Sequence, residues 1–179
     1  MANKENTLLF FSRSKLDDGK YLSNFSVISD GDIVIDERFP IQMLNGKRFH
    51  SVENAFQACK LAISNAPMDL INNIQEISPM DAKKMGSKTM FKKNKLVLDV
   101  NTWNSMSYNI MRMLIVYRFE NDIKFREIIQ NAVKNGMKLK HFDRYGSKSY
   151  WGGFYEKETK NWVGKNKLGE IMESMVNVV

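Results

Sequence analysis

The chain has 179 residues and a mass of 20.8 kDa, room for one domain with a core of its own and a small subdomain. A hydrophobic share of 43% beside 26% charged residues is that of an ordinary globular protein, and no apolar run nears the roughly 20 residues that span a bilayer. The net charge of +7 favours anionic partners such as phosphates, nucleotides or nucleic acid, although lysine and asparagine are abundant throughout, as AT-rich coding would also produce.

The N-terminus, MANKENTLLFF, has too short an apolar stretch for a signal peptide, and residues 7–11 predict a buried strand. Residues 33–44 are apolar-rich and run into Asn45-Gly46, a strong short hairpin signal, with Lys47 to His50 as the partner strand. Val52, Ala55, Phe56, Cys59, Ala62 and Ile63 then fall on one face of a helix, with Ser51 as the kind of residue that begins one and Glu53 as an acid in its first turn. Ser78-Pro79-Met80-Asp81 supplies an N-cap, a proline at the first helical position and an acid three residues after the cap, and Gly86 ends that short helix. A longer helix is predicted from about Asn104 to Tyr117, another from Asp122 to Gly136, a short strand over 137–142 and a closing helix from Leu168 to Val176. The expected class is α+β, a mainly helical single domain over 1–179 with a small β-sheet.

Few residues qualify for chemistry. Cys59 is the only cysteine, which excludes an internal disulfide and suits a reducing, intracellular setting. With only His50 and His141 beside it, a zinc cluster is not expected, and Cys59 itself reads as a small core residue on the apolar face. The two glycines of GKNKLGE at 164–170 have P-loop spacing, but Glu170 stands where Lys and Ser/Thr should follow. Neither histidine has a nucleophile in a recognisable elbow. Glu53 shares a helix face with Gln57 and Lys60, at i, i+4 and i+7, opposite the apolar stripe. That face fits a solvated surface, and it also fits a carboxylate placed for chemistry. Trp103 is expected in a loop before a helix, and Trp151 stands in SYWGGF, where Gly152 and Gly153 permit close backbone approach. An aromatic beside glycines either stacks on a nucleobase or packs as a core residue in a turn.

The ordered series YLSNF (21–25), NGKRFHSVENAFQACK (45–60), ISPMDAKKMG (77–86), Trp103 with the helix ending in YRF, and YWGGF followed by VGKNKLGEIM resembles the NADAR (YbiA-like) domain family. The resemblance covers about residues 8–176. It implies a compact α+β domain that hydrolyses N-glycosidic bonds, in ribosyl-phosphate intermediates of riboflavin synthesis or in ADP-ribosylated guanine, with no metal or other cofactor. By the same resemblance, Glu53 is the catalytic carboxylate and Trp103 and Trp151 (with Gly152) shape the base pocket. Asn24 and the turn Gly164, Lys165, Asn166 become candidates for ribose and phosphate. Many members carry an aspartate three residues before the W-G tryptophan, where this chain has Lys148. Either a longer loop brings Asp143 into that role or the second acid is absent. The expected partner is a nucleotide-like small molecule, with ADP-ribosylated nucleic acid as an extension and no membrane. A non-catalytic ADP-ribose-binding module and direct DNA binding through the positive charge are the rival readings.

Overall fold

A computed structural model describes residues 6–28 and 31–176. The chain divides into two compact units, one formed by residues 24–122 and the other by the segments that precede Asn24 and follow Asp122. The class is α+β, with helices dominating and the strands of the described residues gathered in three two-stranded pairings.

The 24–122 unit is built around helix α2 (Val52–Ile63). Ser51 caps it: extended at φ −147°, ψ 158°, its Oγ accepts from Asn54 N at 3.1 Å. The Asn54 side chain donates to the carbonyls of Ile74 and Ile77, at 2.7 and 2.8 Å, and so ties the cap to the end of α3 (Met68–Glu76). Helices α3, α4 (Pro79–Met85) and α6 (Val100–Asn121) all pack on α2, and α5 (Lys88–Lys93) follows α4 after Gly86. Every residue of α2 through Cys59 is buried, with Leu61 and Ala62 beyond it. The polar face of Glu53 and Gln57 therefore lies inside the protein. Periodicity marks the apolar stripe of a helix, but three packed neighbours bury the opposite side as well.

Two expectations change in this unit. Strands β2 (Ile33–Val34) and β3 (Arg48–Phe49) do pair antiparallel, Ile33 opposite Phe49, but the strand ends well before residue 44 and a 3₁₀ turn occupies Gln42–Leu44. Asn45 adopts φ −53°, ψ 132° and Gly46 φ +78°, with Lys47 N donating to Leu44 O at 2.9 Å. That is a type II turn; a tight type I′ hairpin would need positive φ at both residues. Second, α6 starts at Val100, so Trp103 sits in its first turn. Asp99 is the cap, accepting from Thr102 N at 3.0 Å and from Thr102 Oγ1 at 2.6 Å. The D-x-x-T spacing was the available signal for this start.

In the other unit β1 (Thr7–Phe10) runs parallel to β4 (Lys138–His141), Thr7 opposite Lys138 and Phe10 opposite His141. The second edge of β4 is closed by side chains. Asn166 accepts from His141 N at 2.9 Å and donates to Leu139 O at 2.9 Å, and Glu173 accepts from Leu139 N at 2.7 Å. The His141 carbonyl accepts from Gly153 N at 2.9 Å, so side chains and one backbone bridge satisfy this edge in place of a full third strand. Helices α1 (Asp17–Tyr21), α7 (Ile123–Lys134) and α8 (Lys167–Ser174) pack around this pair, and β5 (Phe154–Tyr155) pairs with β6 (Trp162–Val163). No described helix is long and apolar enough to cross a membrane.

Candidate active site

Glu53 occupies the first turn of α2, and only 6% of its surface is exposed. Its backbone N–H donates to the carbonyl of Asn24 at 3.0 Å, which docks the start of this unit against the helix start. Its Oε1 accepts from Gln57 Nε2 at 2.9 Å, one turn along the helix. Burial pushes the Glu53 carboxyl above the usual glutamate range, while the Lys83 charge, the Gln57 hydrogen bond and the Lys60 charge pull the other way. The helix N-terminus would by itself hold a glutamate ionised, but here desolvation is the larger effect. A carboxyl moved upward toward neutrality is better matched to proton transfer than a solvated one.

Lys60 continues the same face. Its Nζ donates to Gly86 O at 2.7 Å and lies 5.4 Å from the Phe91 ring centroid and 5.9 Å from that of Trp103. Burial lowers its pKa, with the Glu53 charge opposing. Trp103 leans on Phe56, ring centroids 4.9 Å apart, so the indole has both an aromatic ring and a cation as neighbours on α2. From α4, Lys83 lies over the Phe25 ring at 5.4 Å.

Two residues hydrogen-bonded to Glu53 carry a buried acceptor with no partner: Asn24 Oδ1 and Gln57 Oε1. Asn24 is 8% exposed and its Nδ2 reaches only the Met111 sulfur, at 3.6 Å. An unsatisfied buried acceptor costs about 1–3 kcal/mol, so such atoms gather where a ligand brings donors. Cys59 lies in the same helix, fully buried, its thiol pushed up to about 12 by desolvation, which suits a packing role.

Of the nine residues singled out from the sequence, Glu53, Asn24 and Trp103 belong to this unit, and Asp143, Trp151, Gly152, Gly164, Lys165 and Asn166 to the other. Asp143 staples its own loop, its Oδ1 accepting from Tyr145 N at 3.0 Å and its Oδ2 from Ser149 Oγ at 2.7 Å. Ser149 Oγ in turn accepts from Gly152 N at 3.0 Å, one residue past Trp151. Trp151 meets Tyr150 edge-on at 5.0 Å, and exposed Lys165 lies over the same tyrosine at 5.5 Å. Glycine at 152 and 164 serves packing within the protein. A Cβ on Gly152 would overlap the His141 carbonyl and ring, and one on Gly164 would overlap the Gly152 carbonyl and lie 2.6 Å from Gly153 Cα. Gly164 also has φ +130°, open only to glycine. The Asn166 side chain is committed to β4, as described above. A groove of about 420 Å³ in this unit, lined by Leu8, Leu16, Asp17, Asp18, Ile128 and Met137 among others, contains none of the candidate residues.

Sequence reading gave Lys83 no role and Gly86 only that of a helix end. Both lie in the ISPMDAKKMG segment, but only the docking of α4 on α2 brings them to Glu53 and Gln57.

A buried, amide-held carboxylate flanked by lysines and an aromatic wall, on an α+β scaffold, defines a candidate hydrolytic or nucleotide-binding centre. The NADAR domain model matches residues 10–177, and the chain belongs to the NADAR family. Among solved structures, the NMR structure of the E. coli protein YbiA is similar at a TM-score of 0.65 and 25% identity, covering 97% of this chain and 85% of that one. A search of curated proteins returned no match. Family membership associates the chain with a glycosidase-like role.

Proposed function

We propose that the chain is an N-glycosidase acting on an ADP-ribose-like or ribosyl-phosphate compound, with Glu53 as the working carboxylate. The observation that carries this reading is the Glu53 environment: a buried carboxyl held by the Gln57 amide, where the charges of Lys83 and Lys60 oppose the upward push of desolvation. In the reaction the C–N bond breaks and its electron pair leaves with the base, as positive charge grows on the ribose. Glu53 stabilises that charge and takes a proton from the water that adds to the anomeric carbon. Trp103, backed by Phe56 and Lys60, supplies an aromatic wall for the base, and Asn24 Oδ1 offers an acceptor to a ribose hydroxyl. The family resemblance assigns Trp151, Gly152, Gly164, Lys165 and Asn166 to the base and phosphate. What supports a contact role for Lys165 is its exposure; the Asn166 side chain is committed to β4 and its backbone N–H to the Gly152 carbonyl at 3.3 Å, which leaves it a positioning role in the turn. For Asp143 we assign the positioning of the Trp151 loop, through Ser149 and Gly152.

The test is incubation of the purified protein with ADP-ribosylated guanosine and, separately, with ribosyl-phosphate intermediates of riboflavin synthesis, followed by chromatography of the released base. Release on one of them is the expected result. Binding without release on every substrate would instead establish an ADP-ribose-binding module.

A second observation favours a substrate carried on nucleic acid. Six exposed lysines, Lys83, Lys84, Lys88, Lys92, Lys93 and Lys95, stand within residues 83–95, and among the described residues Lys84 alone of them makes an ion pair, with Asp81 at 2.8 Å. Such a ridge suits a phosphodiester backbone. Reversing Lys88, Lys92 and Lys93 to glutamate is expected to weaken binding of a single-stranded oligonucleotide at least ~10-fold and to flatten its salt dependence. Hydrolysis of a free modified nucleoside by the same variant should stay at the wild-type rate. Oligonucleotide binding that ignores both salt and these charges would rule the ridge out.

A further inference from the structure

The end of α4 meets the Glu53 face of α2 at one residue, Gly86. It caps α4 with φ −79° and ψ 5°, a conformation any L-residue adopts, so glycine is not there for its backbone freedom. What is special is the space beside it. A Cβ built on Gly86 would overlap Gln57 Oε1 outright and lie 2.6 Å from Gln57 Cδ. The Gln57 carboxamide therefore fills the place a side chain would occupy, its unpartnered oxygen turned onto Gly86 and its nitrogen donating to Glu53 Oε1 at 2.9 Å. The carbonyl of the same glycine accepts from Lys60 Nζ at 2.7 Å. One backbone unit thus receives both side chains that follow Glu53 along its helix face.

We infer that Gly86 is a positioning residue for the Glu53 carboxylate: its missing side chain seats the Gln57 amide, and that amide holds Glu53. Gly86 touches no reacting group; it acts through Gln57. The charged groups acting on Glu53 are Lys83, from α4, and Lys60, on its own helix. Neither needs to move when a methyl group appears at position 86. The side chain that must give way is the flexible Gln57, so the fold tolerates Gly86→Ala while the hydrogen bond to Glu53 is lost. Losing a donor removes an influence that favours the ionised carboxylate, so Glu53 titrates at still higher pH. The consequence for turnover rests on the N-glycosidase reading above; the positional claim does not.

The experiment compares wild type, Gly86→Ala, Gln57→Ala and the double variant. The Glu53 carboxyl is followed by its carbon chemical shift against pH, base release is measured as a pH–rate profile, and thermal unfolding checks the fold. In each single variant the Glu53 titration and the acid limb of the profile should move to higher pH. Base release on that limb should fall about 10-fold or more, the scale of a hydrogen bond to a charged group. In the double variant Gly86→Ala should add nothing to Gln57→Ala, because no amide remains to displace. A Glu53 titration left in place by Gly86→Ala would overturn the inference, and so would an equal extra shift in the Gln57→Ala background. If Gly86→Ala alone fails to fold, the double variant is expected to recover folding, and failure to do so counts against Gln57 as the displaced group. Titration shifts as expected, in proteins of which none releases base, would leave the positioning intact and remove the N-glycosidase reading instead.

Discussion

Glu53→Gln should fold, unfold at a temperature no lower than wild type at neutral pH, and lose at least ~100-fold in turnover, the usual scale for a lost general base. The two halves of this result have one cause. Burial raises the folded-state pKa of Glu53 above its unfolded value. The folded protein therefore binds the Glu53 proton more tightly than the unfolded chain does, and stability falls as pH rises from the ordinary carboxylate range through the folded value. Glutamine is neutral at every pH and carries no such penalty, and its side-chain oxygen can still accept from Gln57 Nε2. The difference in melting temperature between variant and wild type should then grow as pH rises, and vanish near pH 4 and below, where both proteins carry a neutral group. Differential scanning calorimetry across pH and a single-turnover assay check the two halves separately. Turnover within a few-fold of wild type would remove Glu53 from the mechanism.

The largest stability effect is expected at Asp122. Arg118 and Asp122 are both completely buried, one turn apart at the end of α6, with Arg118 Nε donating to Asp122 Oδ2 at 3.1 Å. Arg118 Nη2 also donates to Ser26 Oγ at 2.8 Å. The pair therefore anchors the segment whose Asn24 carbonyl receives the Glu53 N–H. Asp122→Ala removes a buried carboxylate from a buried arginine, and breaking such a pair costs about 3–5 kcal/mol. Against a total stability of about 5–15 kcal/mol, this is enough to bring the domain near unfolding. Urea denaturation should show the midpoint collapse, with a much smaller loss in the double variant Arg118→Met, Asp122→Leu, which removes both charges together. An Asp122→Ala protein as stable as wild type would mean that Asp122 is not what balances the Arg118 charge.

The elements legible in the sequence are those whose ends are written in local chemistry. Ser51 and Ser78 were readable as caps, and both accept the expected backbone N–H three residues on. Gly86 and Gly136 close their helices as expected, and the strands at 7–10 and 138–141 fall inside the predicted runs. Asn45-Gly46 was readable as a turn but not as its type, because a 3₁₀ segment ahead of it and the pairing of Ile35 with Lys47 and Gly46 select type II. The parallel pairing of β1 with β4 joins residues about 130 apart, a link no local pattern carries.

Glu53 shows the division most sharply. By sequence alone it is a first-turn acid on a helix that begins at Ser51, and the ordered landmarks around it make the family legible and Glu53 its candidate carboxylate. Cys59 as a packed core residue was legible on the same helix, from the apolar stripe it occupies. The setting that gives Glu53 its chemistry is decided by tertiary structure. Packing of α3, α4 and α6 takes both faces of α2 out of water, raises the carboxyl by desolvation, and delivers Lys83 and Gly86 from a helix 30 residues further along the chain. A helical period records which side chains share a face; desolvation depends on what covers that face, and the cover comes from elsewhere in the chain.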